Sequence, residues 1–453
     1  MKPRPLFEIA AAVGGSLRGR DAVASGVVTD SRMASSGSLF VALLGERVDG
    51  HDFVSHALAN GAVGAVVGRP DHQGTVIEVE STGQALLDLA ADERRQMPDA
   101  RVVGITGANG KTSTKDFAAA VLASRFRTHA SPQSFNTEIG LPMTLLGTPE
   151  GTEVIVAEMG ARRAGDVSLL CRVARPEMVV VTNVGVAHME IFGSWETIVE
   201  ASAEPVDALS EDGIAILCAD DPIVRGYAER TRARVVTFGV SPDADVRAEG
   251  VSLDDSGCAS FVLAIGRERE RAELAIPGEH MVPNALAAAA CGSAFGLTAA
   301  ECASAFKDAR ITRWRMESFI SSSGVRVVND AYNANPESTA AGLRTARWMA
   351  REGRMAAVLG HMAELGPIAL EEHERLGELV VRMGVDRLVT VGEQAATIAR
   401  AAIREGALPE DVASYDTAEE AIEDIRAWAR PGDVVLVKAS RVVGLERVAE
   451  ALR

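Results

Sequence analysis

The stretch Val102 to Ala123 constrains this chain more than any other. Val102, Val103 and Ile105 read as a short buried strand. Gly107 and Gly110 form a tight turn, Lys111-Thr112 follows, and a helix-compatible run extends from Asp116 to Ala123. Strand, glycine turn and helix start together form the context in which a phosphate-binding loop has meaning. Backbone N–H groups at such a turn point at anionic oxygens. Lys111 adds a point charge for terminal phosphates, and the Thr112 hydroxyl can sit on Mg2+. The common GxxxxGK(S/T) pattern needs glycine where this chain has Ile105, so the loop is a variant ATP site. A glycine turn that merely caps a helix is the plain alternative.

At 453 residues the chain is long enough for about three domains, and a hydrophobic content of 47% against 24% charged residues suits a globular protein with sizeable cores. A formal charge of −17 argues against a nucleic-acid or membrane-surface role. Anionic ligands would then need a locally basic cleft. The five cysteines are dispersed without a CxxC pair and read as small buried hydrophobes of a reducing compartment. No apolar run reaches the roughly 18 residues of a membrane span. The first residues lack a signal-peptide pattern, so a cytoplasmic location without membrane insertion is expected.

Residues 1–99 alternate strand-like runs (39–44, 62–67, 76–79) with helices (53–60, 84–96), and the Pro98-Asp99 break ends the first unit. Thr29-Asp30-Ser31-Arg32 is either a turn or a ligand-binding cluster. From 100 to 309 the pattern is βαβ-like. Strands at 152–157 and 178–182 end at Glu158 and just before Asn183, with His188 beyond. In open parallel sheets ligands bind outside the carboxyl ends of strands. Glu158 and His188 would therefore share a rim with the phosphate loop if these strands are its neighbours. Glu158 is the better Mg2+ ligand, because that ion prefers hard oxygens, and His188 is otherwise a hydrogen-bonded loop histidine. Asn284, before the alanine-rich run 285–290, either caps a helix or recognises adenine. From 310 to 453 further strands (325–328, 356–359, 387–391, 434–437) alternate with helices, which implies a third doubly wound α/β unit.

Several loops also match a known family together. The segment Thr106-Gly107-Ala108-Asn109-Gly110-Lys111-Thr112, followed by Ser113, fits the TGxxGKT/S phosphate loop of the Mur ligases, and the sequence resembles that family of ATP-dependent amide-forming enzymes of peptidoglycan precursor synthesis. DSRMASSGSLFVALLGERVDGHDF (30–53) is similar to the family's UDP-sugar-binding domain. DAYNANPES (330–338), MAELG (362–366) and VKASR (437–441) are similar to its MurF-type branch, and the match spans nearly the whole chain. The resemblance implies three α/β domains: an N-terminal UDP-muramoyl-peptide-binding domain (1–99), a central P-loop ATPase-like parallel-sheet domain (100–309) and a C-terminal Rossmann-like domain (310–453). It implies ATP and Mg2+ as cofactors, UDP-N-acetylmuramoyl-tripeptide and D-alanyl-D-alanine as partners, and a monomer. By the same resemblance Lys111, Thr112, Glu158 and His188 hold phosphates and metal. Asn284 contacts adenine, Arg315 the γ-phosphate and Asp330 the ribose. Asn136 and Thr137 contact the muramoyl substrate, while Ser31 and Arg32 lie in the uridine-diphosphate region. Tyr332, Asn333, Asn335, Lys438, Ser440 and Arg441 close over the acyl phosphate and dipeptide.

Three positions depart from the family pattern. Ser202 stands where a carbamylated lysine commonly helps hold a second Mg2+, which leaves Glu200 or Glu204 as substitutes, or a weaker metal site. His361 stands where aspartate is common, and Met281 where asparagine is common. Two other readings remain at this level: a ligase recruited to another carboxylate and amine, or a catalytically impaired nucleotide-binding homologue.

Overall fold

The structure, a computed structural model, describes residues 1–45, 48–186 and 189–453. His188 therefore lies outside the described residues.

Strands without polar alternation have to be covered on both faces. The runs Val154–Glu158 and Met178–Val181 are buried at every position, and both lie beside Arg101–Thr106 in parallel. Glu158 pairs in register with Ile105, and Val181 with Thr106. The carboxyl ends of all three strands thus meet at the phosphate loop. On one face the sheet is covered by Lys111–Ala123 and by Met281–Ala294, whose alanines from 285 to 290 are fully buried. A helix apolar all round belongs inside, and its small side chains let the neighbouring helix and strands approach closely.

The central sheet holds nine strands, and its outer third is not parallel. Val246–Leu253, Cys258–Ile265 and Glu268–Pro277 form an antiparallel meander that the βαβ reading of 100–309 missed. Its residues alternate buried and exposed over much of their length, and ERERAELAIP carries charges on the solvent side. Antiparallel edges tolerate one wet face where parallel strands do not.

The first unit is a five-stranded sheet in the order Ser16–Arg18, Val76–Glu78, Gly64–Val67, Ser38–Val41, Gly26–Val28. In the last unit Val434–Lys438 lies between Arg326–Asn329 and Met355–Gly360, although it is the final strand in sequence. Strand order reverses around it, so Asp330, His361 and Lys438 emerge together at a topological switch point. Glu317–Ile320 pairs antiparallel to Arg326–Asn329 as an unanticipated edge strand.

Helix bounds differ modestly from the pattern-based reading. The phosphate-loop helix begins at Lys111, not Asp116, because Gly110 takes a left-handed conformation (φ 80°) and ends the turn directly at the lysine. All five cysteines are free and four are buried.

Candidate functional site

A cleft of about 1280 Å3 opens where the central and C-terminal strand ends face each other. Its floor is the phosphate loop. Asn109 N donates to Asn183 Oδ1 (2.8 Å), and Thr182 Oγ1 donates to the Asn109 carbonyl (2.6 Å), so the neighbouring strand end holds the loop. A Cβ on Gly107 would stand 2.0 Å from Thr182 Oγ1, and one on Gly110 would stand 2.2 Å from Asn284 Oδ1. Both glycines also have positive φ, so no other residue serves at either place.

Lys111 Nζ donates to the carbonyls of Gly107 (2.6 Å) and Ala108 (3.2 Å). Desolvation lowers its pKa, the Glu158 carboxylate opposes that shift, and Arg315 adds to it. Two cations and one carboxylate therefore face one another with little water, where charge interactions are strongest.

Glu158 is the carboxylate of that group. It is almost fully buried, and Oε1 accepts from Asn136 Nδ2 (2.8 Å), while Oε2 is buried without a hydrogen-bond partner. An orphaned buried carboxylate oxygen is costly unless a cation meets it. Thr112 Oγ1 lies 3.1 Å from Ser134 Oγ in the same cleft. Hard oxygen donors of this kind fit Mg2+, which keeps several waters and takes few protein ligands. No cluster of three or more His, Cys, Asp or Glu side chains suited to a metal occurs among the described residues.

Arg315 reaches the same place from the C-terminal side. Its Nη2 donates to Ser134 Oγ (3.2 Å), its guanidinium lies 4.2 Å from the Tyr332 ring centroid, and its Nε is buried without an acceptor. The residues on either side, Trp314 (φ 62°) and Met316 (φ 53°), are both left-handed without being glycine. Such backbone persists only where surroundings over-determine it, at about 1 kcal/mol or more each. Here Met316 N donates to Asp330 Oδ1 (3.1 Å), and Tyr332 N donates to the Trp314 carbonyl (3.1 Å). The DAYN loop thus aims Arg315.

Most of the other anticipated residues converge on the cleft. Asn335 caps the helix Pro336–Ala350, and its Nδ2 donates to Asn109 Oδ1 (2.6 Å), a direct bond between the C-terminal unit and the phosphate loop. Lys438 Nζ binds Asp330 Oδ2 and the Asn333 carbonyl. Ser440 Oγ accepts from Ala363 N (2.8 Å), which ties the last strand end to the MAELG loop. Arg441 lies over the Trp314 ring (4.2 Å) and pairs with Glu446. Asn284 donates to the His280 carbonyl and accepts from Thr114, so it supports the loop from below. Thr137, Ala108 and Ser113 line the cleft, whereas Thr106 and Gly107 lie beneath it. Burial pushes the pKa of His280 down to about 4, and this neutral ring also lines the cleft.

Ser31 and Arg32 are not part of this cleft. Ser31 is buried with its Oγ 3.0 Å from His56 Nδ1, and Arg32 is exposed and paired with Asp30. The substitutes considered for the missing lysine are engaged elsewhere. Glu204 accepts from Gly165 N (2.6 Å) and Ser168 N (2.8 Å), Glu200 pairs with Arg230, and Ser202 Oγ donates to the Ile198 carbonyl of its own helix.

Sequence reading missed Ser134, Arg162, Arg163 and Arg344, which all line the cleft. Position after a strand end was the available signal for the arginines at 162 and 163, two and three residues past Gly160.

The sequence matches the Mur ligase family catalytic domain over residues 23–106, the Mur ligase middle domain over 105–292 and the Mur ligase glutamate ligase domain over 314–441. It is 39% identical to the UDP-N-acetylmuramoyl-tripeptide--D-alanyl-D-alanine ligase of Mycobacterium tuberculosis strain H37Rv, over 93% of this chain and 91% of that one. The UDP-N-acetylmuramoylalanyl-D-glutamyl-2,6-diaminopimelate--D-alanyl-D-alanyl ligase of Acinetobacter baumannii superposes with a TM-score of 0.85 at 27% identity, covering 100% of this chain and 99% of that one. MurF ligase of Thermotoga maritima in complex with ADP gives 0.80 at 30% identity, over 94% and 96% of the two chains.

Proposed function

We propose, on the premise that this chain belongs to the Mur ligase family and is of its MurF type, that it joins D-alanyl-D-alanine to UDP-N-acetylmuramoyl-tripeptide at the expense of ATP. The observation that carries the reading is the meeting of Lys111, Arg315 and the half-satisfied Glu158 carboxylate above a glycine loop. Those are the parts that phosphoryl transfer to a carboxylate requires.

The terminal carboxylate of the peptide attacks the γ-phosphorus, and the bond to the β-γ bridging oxygen breaks, releasing ADP and leaving an acyl phosphate. The dipeptide amine then attacks the acyl carbon, loses a proton and expels phosphate. Catalysis is positioning and charge neutralisation, with little covalent work for the protein. Lys111 and the loop N–H groups hold the β- and γ-phosphates. Arg315 faces the transferring group with its free Nε–H. Glu158 and Thr112 would hold Mg2+, which supplies charge neutralisation at the phosphoryl oxygens. Asn136, bonded to Glu158, and Thr137 orient the muramoyl peptide. Tyr332, Asn333, Lys438 and Ser440 bound the space for the acyl phosphate and dipeptide. Asn284, Asp330 and His280 border the nucleoside, and Ser31 and Arg32 belong to a separate uridine-diphosphate region. His188 completes the metal site by resemblance. The chain acts as a cytoplasmic monomer divided near residues 99 and 309; among the described residues no helix is long and apolar enough to cross a membrane.

Phosphate release from ATP tests the reading. Release that requires both UDP-N-acetylmuramoyl-tripeptide and D-alanyl-D-alanine is the expected result. Release with other amines would indicate a recruited ligase, and none under any combination would indicate an impaired homologue.

Ser202 cannot form a carbamate, and neither Glu200 nor Glu204 is free to replace one. Turnover should therefore be insensitive to added bicarbonate. Strong bicarbonate rescue of the unmodified enzyme at low pH would contradict this.

A further inference from the structure

The phosphate-loop helix, Lys111–Ala123, carries an ion pair that the reaction described above does not use. Lys115 and Asp116 are neighbours in sequence, and Lys115 Nζ lies 2.9 Å from Asp116 Oδ1. The Lys115 side chain is only 3% exposed, and both residues lie outside the lining of the cleft. A buried ammonium persists in a fold only where its donors are met. The other two N–H groups of Lys115 go to the carbonyls of Ser131 (2.8 Å) and Gln133 (2.8 Å). All three donors of the ammonium are therefore engaged.

Those two carbonyls fix a short turn that ends at the site. Gln133 is left-handed without being glycine (φ 49°), and the next residue is Ser134. Ser134 Oγ is the oxygen shared by Thr112 Oγ1 (3.1 Å) and Arg315 Nη2 (3.2 Å). At the start of the turn, Ser131 Oγ accepts from Glu158 N (3.1 Å). The Lys115 ammonium thus sits behind a turn that touches both candidate Mg2+ ligands, and Arg315 as well.

Asp116 holds the other side of the same contact. Its Oδ2 accepts from Thr312 N (2.7 Å), on the segment that leads out of the central unit, three residues before Arg315. Lys115 therefore grips the chain that carries Ser134, and Asp116 grips the chain that carries Arg315. The two grips are adjacent residues of one helix, joined by their own ion pair, so the helix sets the spacing between the held segments. Asp330 and the Tyr332 amide orient Arg315 from within the C-terminal unit, whereas Asp116 ties it to the central one. We propose that Lys115 and Asp116 are positioning residues for phosphoryl transfer, which hold Ser134 and Arg315 in place across the junction of the two units. This rests on the ligase reading above.

The test is a double-mutant cycle between Asp116→Ala and Arg315→Ala in the full chain, with ATP, UDP-N-acetylmuramoyl-tripeptide and D-alanyl-D-alanine. Single-turnover phosphate release and equilibrium ATP binding are measured for each member. Asp116→Ala should slow release by about tenfold or more, within the range that misplacing a reacting group by about 1 Å produces. Its ATP dissociation constant should change by less than about twofold, because the phosphate loop itself is untouched. In the Arg315→Ala background the same substitution should cost less than about twofold, since the group it positions is gone. The cycle is repeated with Asp116→Asn, which keeps one oxygen for the Thr312 amide and disturbs the fold less; its loss should be smaller and should vanish in the same background. Equal losses in the two backgrounds would overturn the proposal, because the pair would then act independently of Arg315. Unchanged release in Asp116→Ala would overturn it too, as would a loss of ATP affinity that matches the loss of rate. These outcomes leave the ligase reading intact. No phosphate release from the unmodified chain under any combination of substrates would sink that reading, and the proposal with it.

Discussion

Lys111→Ala is expected to lower kcat/KM for phosphate release by about a thousandfold, the scale seen when a preorganised charge facing a reacting group is removed. Nζ is held by the Gly107 and Ala108 carbonyls at the end of a loop whose own shape depends on two positive-φ glycines. It stands in an enclosed space where desolvation already disfavours its charge, and Glu158 is the group that favours it. Removing the ammonium leaves Glu158 and the incoming phosphates with Arg315 as their remaining cation, so the loss includes added repulsion as well as a missing contact. Lys111→Arg should not restore turnover, because a planar fork cannot replace a compact ammonium among closely placed carbonyls. Steady-state phosphate release with both substrates measures the effect. A thermal midpoint close to that of the unmodified chain would show that the fold persists. A variant keeping a tenth of its activity would remove Lys111 from the phosphate-holding role.

The parts of this site legible in the sequence are those set by local chemistry. Gly107, Gly110 and Lys111 announce a phosphate turn because backbone geometry and charge act over a few residues. Glu158 follows because a continuous apolar run ends at it, and parallel strands of that kind bring their carboxyl ends together. The meander at 246–277 was not legible as such, because its alternation is interrupted by register shifts near Glu249 and between Cys258 and Ser260. The partners that aim each side chain were hidden for another reason. The bond from Asn335 to Asn109 joins positions 226 residues apart, and Ser134 joins Thr112 to Arg315 only after two units have docked. Glu204 was a candidate metal ligand only through the family resemblance around Ser202. In three dimensions it caps the Asp166–Ala174 helix, a role that depends on a neighbour nearly forty positions away.

Arg315→Ala should separate turnover from nucleotide binding. Its backbone is held between two left-handed residues, a strain kept only because Asp330 and the Tyr332 amide fix both sides. What that strain secures is a guanidinium seated on the Tyr332 ring, with one donor on Ser134 and a buried Nε–H facing no acceptor. An unmade bond from a buried donor costs about 1–3 kcal/mol, and it is recovered only when an anion arrives. If that anion is the phosphoryl group in transit, the energy appears in the transition state, and kcat carries the effect. The expected result is a fall in kcat of at least about a hundredfold, with the ATP dissociation constant changed by less than about threefold. Arg315→Lys should recover little, since a lysine ammonium cannot both stack on Tyr332 and reach past Ser134. Tyr332→Phe keeps the ring and should stay near the unmodified rate. Equilibrium nucleotide binding measured beside single-turnover phosphate release decides the matter. Equal losses in both would make Arg315 a ground-state ligand of ATP, and unchanged turnover would leave the strained segment around it without a catalytic purpose.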